Sequence, residues 1–66
     1  GNFRKIAEIY EALVKLSPRN PQHYASLAAA YKQTGQIDKA IKAAQTAAQI
    51  DPAFAKEAQD FINSLR

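Results

Sequence analysis

The sequence predicts an all-α fold: about four helices, arranged as antiparallel hairpins that stack side by side into a short α-solenoid. Three observations carry it. Shifting the 66-residue chain by 34 positions keeps its turn marks in register, with Gly1 on Gly35, Lys5 on Lys39 and Pro18 on Pro52. The same shift pairs apolar with apolar at Phe3/Ile37, Leu16/Ile50, Leu27/Phe61 and Tyr31/Leu65. Between the marks, apolar residues recur at helical spacing rather than the alternation of a strand. Alanine supplies 14 of the 66 residues, which favours helix and lets helix axes approach closely.

The first helix is expected from about Phe3 to Leu16, with Asn2 as its N-cap and Phe3, Ile6, Tyr10, Leu13 and Val14 on one face. Pro18 ends it, because proline keeps the preceding Ser17 out of the helical region. A second helix starts at Asn20-Pro21, a side-chain acceptor followed by a proline whose missing N–H is harmless at the first helical position. It stops at Thr34-Gly35, where glycine can take the left-handed cap conformation. Its inward stripe is Tyr24, Leu27, Ala28 and Tyr31. The third helix, about Ile37 to Gln49, packs Ile37, Ala40, Ile41, Ala44, Ala47 and Ala48. Asp51-Pro52 repeats the cap-plus-proline signal, and a last helix turns Ala58, Phe61, Ile62 and Leu65 inward. No linker remains, so residues 1–66 are expected to form one domain.

Composition narrows the function classes. A chain of this size buries only about 60% of the surface its unfolded form exposes, so it has room for one thin core. The absence of cysteine excludes disulfides and thiolate metal sites, and the single His23 builds no zinc site. No cofactor or metal is expected. No apolar run reaches the roughly 20 residues of a membrane span, so the chain is expected to be soluble, with the cytoplasm the favoured compartment. A catalytic reading needs a nucleophile with a base or a tuned carboxylate pair. Neither is present, and His23 in the first turn of a helix reads as a solvent-facing residue.

The net charge of +3 raises nucleic-acid binding as a minor alternative. Many of the charges have a simpler explanation as helical pairs at Arg4/Glu8, Glu11/Lys15, Asp38/Lys42 and Lys56/Asp60. No helix sets a lysine-rich face against a broad apolar one, which argues against a membrane surface.

The segment Pro21 to Pro52 resembles a tetratricopeptide repeat, a helix-turn-helix unit of 34 residues. The matching skeleton is Tyr24-x2-Leu27-Ala28-x2-Tyr31, then Gly35, Ala40, Ala47 and Pro52. By this resemblance residues 1–18 are the second helix of a preceding repeat, 19–52 a full repeat, and 53–66 a C-terminal capping helix. Two departures stand out. Ala44 occupies a position where the family usually has a large aromatic, and Ile6 and Leu13 replace small alanines while Tyr10 keeps the aromatic site.

The resemblance implies a non-catalytic protein–protein interaction module with a concave groove, forming the C-terminal part of a larger repeat protein. On the second helix Gln22, Ala25, Ala29, Lys32 and Gln33 share the side that lines this groove in the family. The last helix supplies Lys56, Gln59, Asn63 and Arg66. The groove is polar to weakly basic, suited to a protein or peptide ligand that carries a carboxylate. One subgroup of the family clamps a terminal carboxylate with lysine and asparagine where Ala25 and Ala29 stand here. Asn63 matches the asparagine position in the last half-repeat, but Gln59 replaces the lysine, so that mode of binding is not expected. The alternative to a groove binder is a structural unit that forms a homo-oligomer through a self-association edge on the first helix, made of Ile6, Ile9, Leu13 and Val14.

Overall fold

A computed structural model describes residues 2–65. Four helices follow one another: α1 (Phe3–Leu16), α2 (Pro21–Gln33), α3 (Ile37–Ile50) and α4 (Ala55–Ser64), with a 3-10 turn at Pro52–Phe54 leading into the last. Each helix packs chiefly on its sequence neighbour, α1 on α2, α2 on α3 and α3 on α4. Short connections leave no other arrangement open to consecutive helices. The result is a slab of 29 × 29 × 15 Å, the all-α hairpin stack that the 34-residue period implies.

The breaks fall at the expected marks. Ser17 leaves the helical region at φ −133° and donates its N–H to the Leu13 carbonyl at 2.8 Å. The Asn20 carboxamide oxygen accepts from the Gln22 N–H at 3.0 Å, with Pro21 opening α2. At the other end Gly35 takes φ +80°, which lets the Gln36 N–H turn back onto the Tyr31 carbonyl at 2.9 Å. The hydroxyl of Thr34 donates to the same carbonyl at 3.0 Å.

Three local expectations are corrected. Asn2 holds the N-cap position, but its side chain makes no cap bond; its backbone carbonyl alone receives the Ile6 N–H at 3.1 Å. Helix α3 runs one residue further, through Ile50. Asp51 caps the 3-10 turn, accepting from the Ala53 N–H at 3.0 Å, rather than α4 itself, whose N-cap residue Phe54 contributes no side-chain acceptor.

The core is made largely of alanine. Of the eleven buried apolar residues among those described, eight are Ala7, Ala28, Ala30, Ala40, Ala43, Ala44, Ala47 and Ala58; the others are Leu27, Tyr31 and Ile62. Ala40, with no exposed surface, marks the closest approach. Tyr10, Val14, Ile41, Ala48, Phe61 and Leu65 pack around this centre from half-buried positions. Small residues allow close helix approach, but each removes little apolar area from water, about 25 cal/mol per Å².

The first helix departs most from expectation. Phe3, read with the inward face, is 41% exposed; Ile6, which the sequence places both on that face and on the open edge, is 38% exposed; and Ala7 is the buried residue of α1. Ile37 at the start of α3 is likewise exposed. The physical reason is the number of neighbours. Helix α2 lies between α1 and α3 and buries two faces, adding Ala30 to the expected stripe. Helix α1 packs mainly on α2 alone, so a stripe wide enough for two partners is half covered.

Candidate functional site

Helix α2 ties itself to α1 through one polar bond. The Tyr31 hydroxyl donates to the Glu11 carboxylate, so Glu11, expected to pair with Lys15, is engaged across the helix seam. Burial, and then the hydrogen bond and charge of Glu11, push the Tyr31 phenol up to about 12. Lys39 places its Nζ 5.7 Å from the Tyr31 ring centroid. These groups fix the α1/α2/α3 register and leave the opposite side of α2 to face α4.

On that side lies an apolar recess of about 150 Å³. Ala25 and Ala28 form its α2 wall and Ala44 and Ala47 its α3 floor, while Phe54, Glu57, Ala58 and Phe61 close it from the 3-10 turn and α4. Glu57, which is exposed, is the only ionisable residue of its wall among the described residues. Lys32, one helical turn beyond Ala28 on α2, sets its Nζ 5.9 Å from the Phe61 ring centroid, a cation–π distance. The recess is thus apolar inside, with one cation and one anion near it.

The groove residues read from sequence do not all meet here. Ala25 lines the recess, and Lys32 reaches α4 across it. Gln22, Ala29, Gln33 and Lys56 are exposed without entering its wall. Gln59 lies on the other flank of α4, beside Gln45, Ala48 and Gln49, and donates its amide to the Asn63 carboxamide oxygen at 3.0 Å. Arg66 lies outside the described residues.

On the other side of the molecule, Ile9 is 55% and Leu16 80% exposed. With Phe3 and Ile6 they form an apolar stripe along α1. Leu13 is half-buried, and Val14 packs against the core, which assigns Val14 to the α1–α2 seam instead of the open edge.

His23 is corrected as well. It is half-buried rather than solvent-facing, with its ring centroid 6.3 Å from that of Tyr10. Its Nδ1 is buried without a hydrogen-bond partner, and its Nε2 lies 3.5 Å from the Asn20 amide nitrogen. The α1–α2 seam covers it.

Sequence reasoning missed the recess, although its signal was present. The 34-residue shift sets Ala58 on Tyr24, and Ala44 stands where the resembled family has an aromatic. Two small residues where bulk is expected, on facing helices, foretell a hollow.

Comparison with known proteins agrees with this architecture. A family profile described as tetratricopeptide repeat matches residues 1–65. The chain is 43% identical over 55 residues to the small glutamine-rich tetratricopeptide repeat-containing protein 2 of Mycosarcoma maydis, covering 83% of this chain and 16% of that protein. It is 32% identical over 59 residues to the TPR repeat-containing thioredoxin TTL4 of Arabidopsis thaliana, covering 89% of this chain and 9% of the relative. A third relative, at 33% identity over 54 residues, is the heat-shock protein cognate co-chaperone sgt12 of Aspergillus fumigatus, with 82% of this chain and 16% of that protein aligned. The chain therefore spans less than a fifth of the length of these relatives. No solved structure matches it significantly. No described helix is long and apolar enough to cross a membrane. With the repeat skeleton, the hairpin stack and a profile match along nearly its whole length, the chain belongs to the tetratricopeptide repeat family and is a helical protein-interaction module.

Proposed function

We propose that the chain is a non-catalytic docking unit of a larger repeat protein, with one full repeat (19–52) between half-repeats at 1–18 and 53–66. It grips an extended peptide through the surface shared by α2 and α4. The observation that carries this reading is Lys32 of α2 lying over Phe61 of α4 beside an apolar recess. A cation held at the edge of an apolar cleft favours a ligand with a carboxylate next to apolar bulk. Gln22, Gln33 and Lys56, all exposed, supply the adaptable polar flank and exposed Ala29 leaves room beside them. That one relative is a heat-shock co-chaperone accords with a binding role. The test is fluorescence anisotropy with a mixed-sequence labelled peptide pool that ends in free carboxylates, set against the same pool amidated. Binding is expected for the carboxylate pool, falling at least tenfold in Lys32→Glu. Equal binding of both pools, unaffected by the charge reversal, removes the proposal.

A second reading is favoured by the exposed stripe of Phe3, Ile6, Ile9 and Leu16 on α1. Contiguous apolar patches of this kind commonly mark contacts between proteins. Here two copies of the chain would associate through Ile6, Ile9 and Leu13. Sedimentation across a concentration series separates the readings. A dimer in the parent chain that is lost in Ile9→Glu supports the edge, and a monomer at all concentrations rules it out.

A further inference from the structure

We infer that the recess between α2 and α4 is an anchor pocket for one phenyl-sized side chain of the bound peptide, at the residue that carries or adjoins the carboxylate facing Lys32. This inference rests on the groove reading above and names what that groove selects.

The pocket follows from subtraction. Ala44 and Ala58 stand at two positions where the repeat pattern elsewhere supplies bulk, Ala58 being the 34-residue counterpart of Tyr24. Both alanines are buried, and both line the recess from different helices. Neither helix can close the gap cheaply. Ala40 and Ala43 already bring α3 into close contact with the rest of the core, and α4 is held to α3 by Ile62. The recess is about 150 Å³ and half-open to solvent, room for a ring that enters from outside and takes its apolar walls out of water.

Size and charge together define the occupant. Methyl groups make most of the wall, so a polar side chain would enter without hydrogen-bond partners. Glu57 opposes an acidic side chain inside the recess. Lys32, on the Phe61 ring, meets a carboxylate just outside it. An aromatic residue bearing or flanking a carboxylate satisfies all three conditions. A long aliphatic chain fills the same volume without the favourable ring contact to Phe61.

The test uses small probes and alanine-methyl NMR on dilute protein. N-acetylphenylalanine carries both the ring and the carboxylate, its amide keeps only the ring, and N-acetylalanine keeps only the carboxylate. N-acetylphenylalanine is expected to shift the methyl signals of Ala25, Ala44, Ala47 and Ala58 saturably, while N-acetylalanine leaves them in place. Ala44→Phe fills the recess with a ring of its own and is expected to weaken the response at least tenfold. If that variant does not fold, Ala58→Leu tests the same loss. Unmoved methyls, or an equal response in the filled variant, overturn the pocket. In that event a carboxylate probe still weakened by Lys32→Glu leaves the groove reading standing. Conversely, pocket shifts from acid and amide alike that ignore Lys32→Glu keep the ring site and remove its link to the carboxylate. Methyl shifts that appear with protein concentration alone, before any probe, identify a second copy as the occupant and also overturn the inference.

Discussion

The two outer helices treat their apolar residues in opposite ways. Helix α4 turns them inward, burying Ala58 and Ile62 and packing Phe61 and Leu65 on the core, with Lys56, Gln59, Asp60 and Asn63 left outside. Helix α1 buries Ala7 and leaves Phe3, Ile6, Ile9 and Leu16 exposed. Both helices have essentially one packing partner. The difference therefore lies in the width of the stripe each sequence writes, not in the number of neighbours each receives. A narrow stripe makes a surface that ends a stack, and a wide one makes a surface that can be covered further.

The contrast is sharpest in Ile62 against Ile9. Replacing Ile62, 7% exposed, by alanine is expected to cost about 2–4 kcal/mol. A chain of this size has about 3–10 kcal/mol in total, so Ile62→Ala should remove a large share of its stability. Ile9→Ala removes a side chain that is mostly in water and should change stability by no more than about 0.5 kcal/mol. Urea denaturation followed by circular dichroism measures both. Similar losses in the two variants would mean that α1 is covered in solution and that the contrast is false.

Next in size is the seam that holds α1 to α2. Tyr31→Phe deletes the hydrogen bond to Glu11 and is expected to cost about 1 kcal/mol. It should also change the response to alkali. The ordinary phenol titrates at 10.0, and burial together with Glu11 raises Tyr31 to about 12. A raised value means that the folded state holds the proton more tightly than the unfolded state. Its contribution is then complete below pH 10 and declines as pH climbs through about 12. The informative quantity is the difference between parent and Tyr31→Phe. That difference should shrink across this window, and a difference that stays constant would remove Glu11 and burial as its cause.

Much of this architecture was legible because it is written in backbone chemistry. Pro18, Asn20-Pro21, Gly35 and Asp51-Pro52 each restrict the chain locally, and the helices break at these marks. The exposed state of Phe3 was not legible in the same way, whereas that of Ile6 and Ile9 was. Helical spacing gives the direction of a stripe but not how many partners cover it. His23 was misread for a related reason: its position in a first turn says nothing of α1 arriving beside Tyr10. For the proposed groove, spacing puts Ala25 and Lys32 on one side of α2, and the family resemblance is what marks that side. The α4 half depends on the rotation of α4 about its axis. That rotation presents Glu57 and Phe61 to the recess and turns Gln59 to the other flank.

The smallest expected effects compare the two proline junctions, which look alike in sequence and differ in what they cap. Asn20 satisfies an N–H at the start of α2 itself, at 3.0 Å. Asp51 satisfies the Ala53 N–H of a three-residue 3-10 turn, at the same distance, and α4 begins only after that turn. Asn20→Ala exposes the first turn of a 13-residue helix buried on two sides and should cost about 1 kcal/mol. Asp51→Ala frees a short turn that can fray while α4 stays fixed by Ala58 and Ile62, so its cost should be a few tenths of that, about 0.3 kcal/mol. Paired thermal melts can resolve the difference, and amide exchange locates it. Faster exchange should be confined to the first residues after Pro52 in the second variant but spread through the start of α2 in the first. Equal costs would mean that the 3-10 turn and α4 behave as one cooperative helix, and that the second junction caps α4 as directly as the first caps α2.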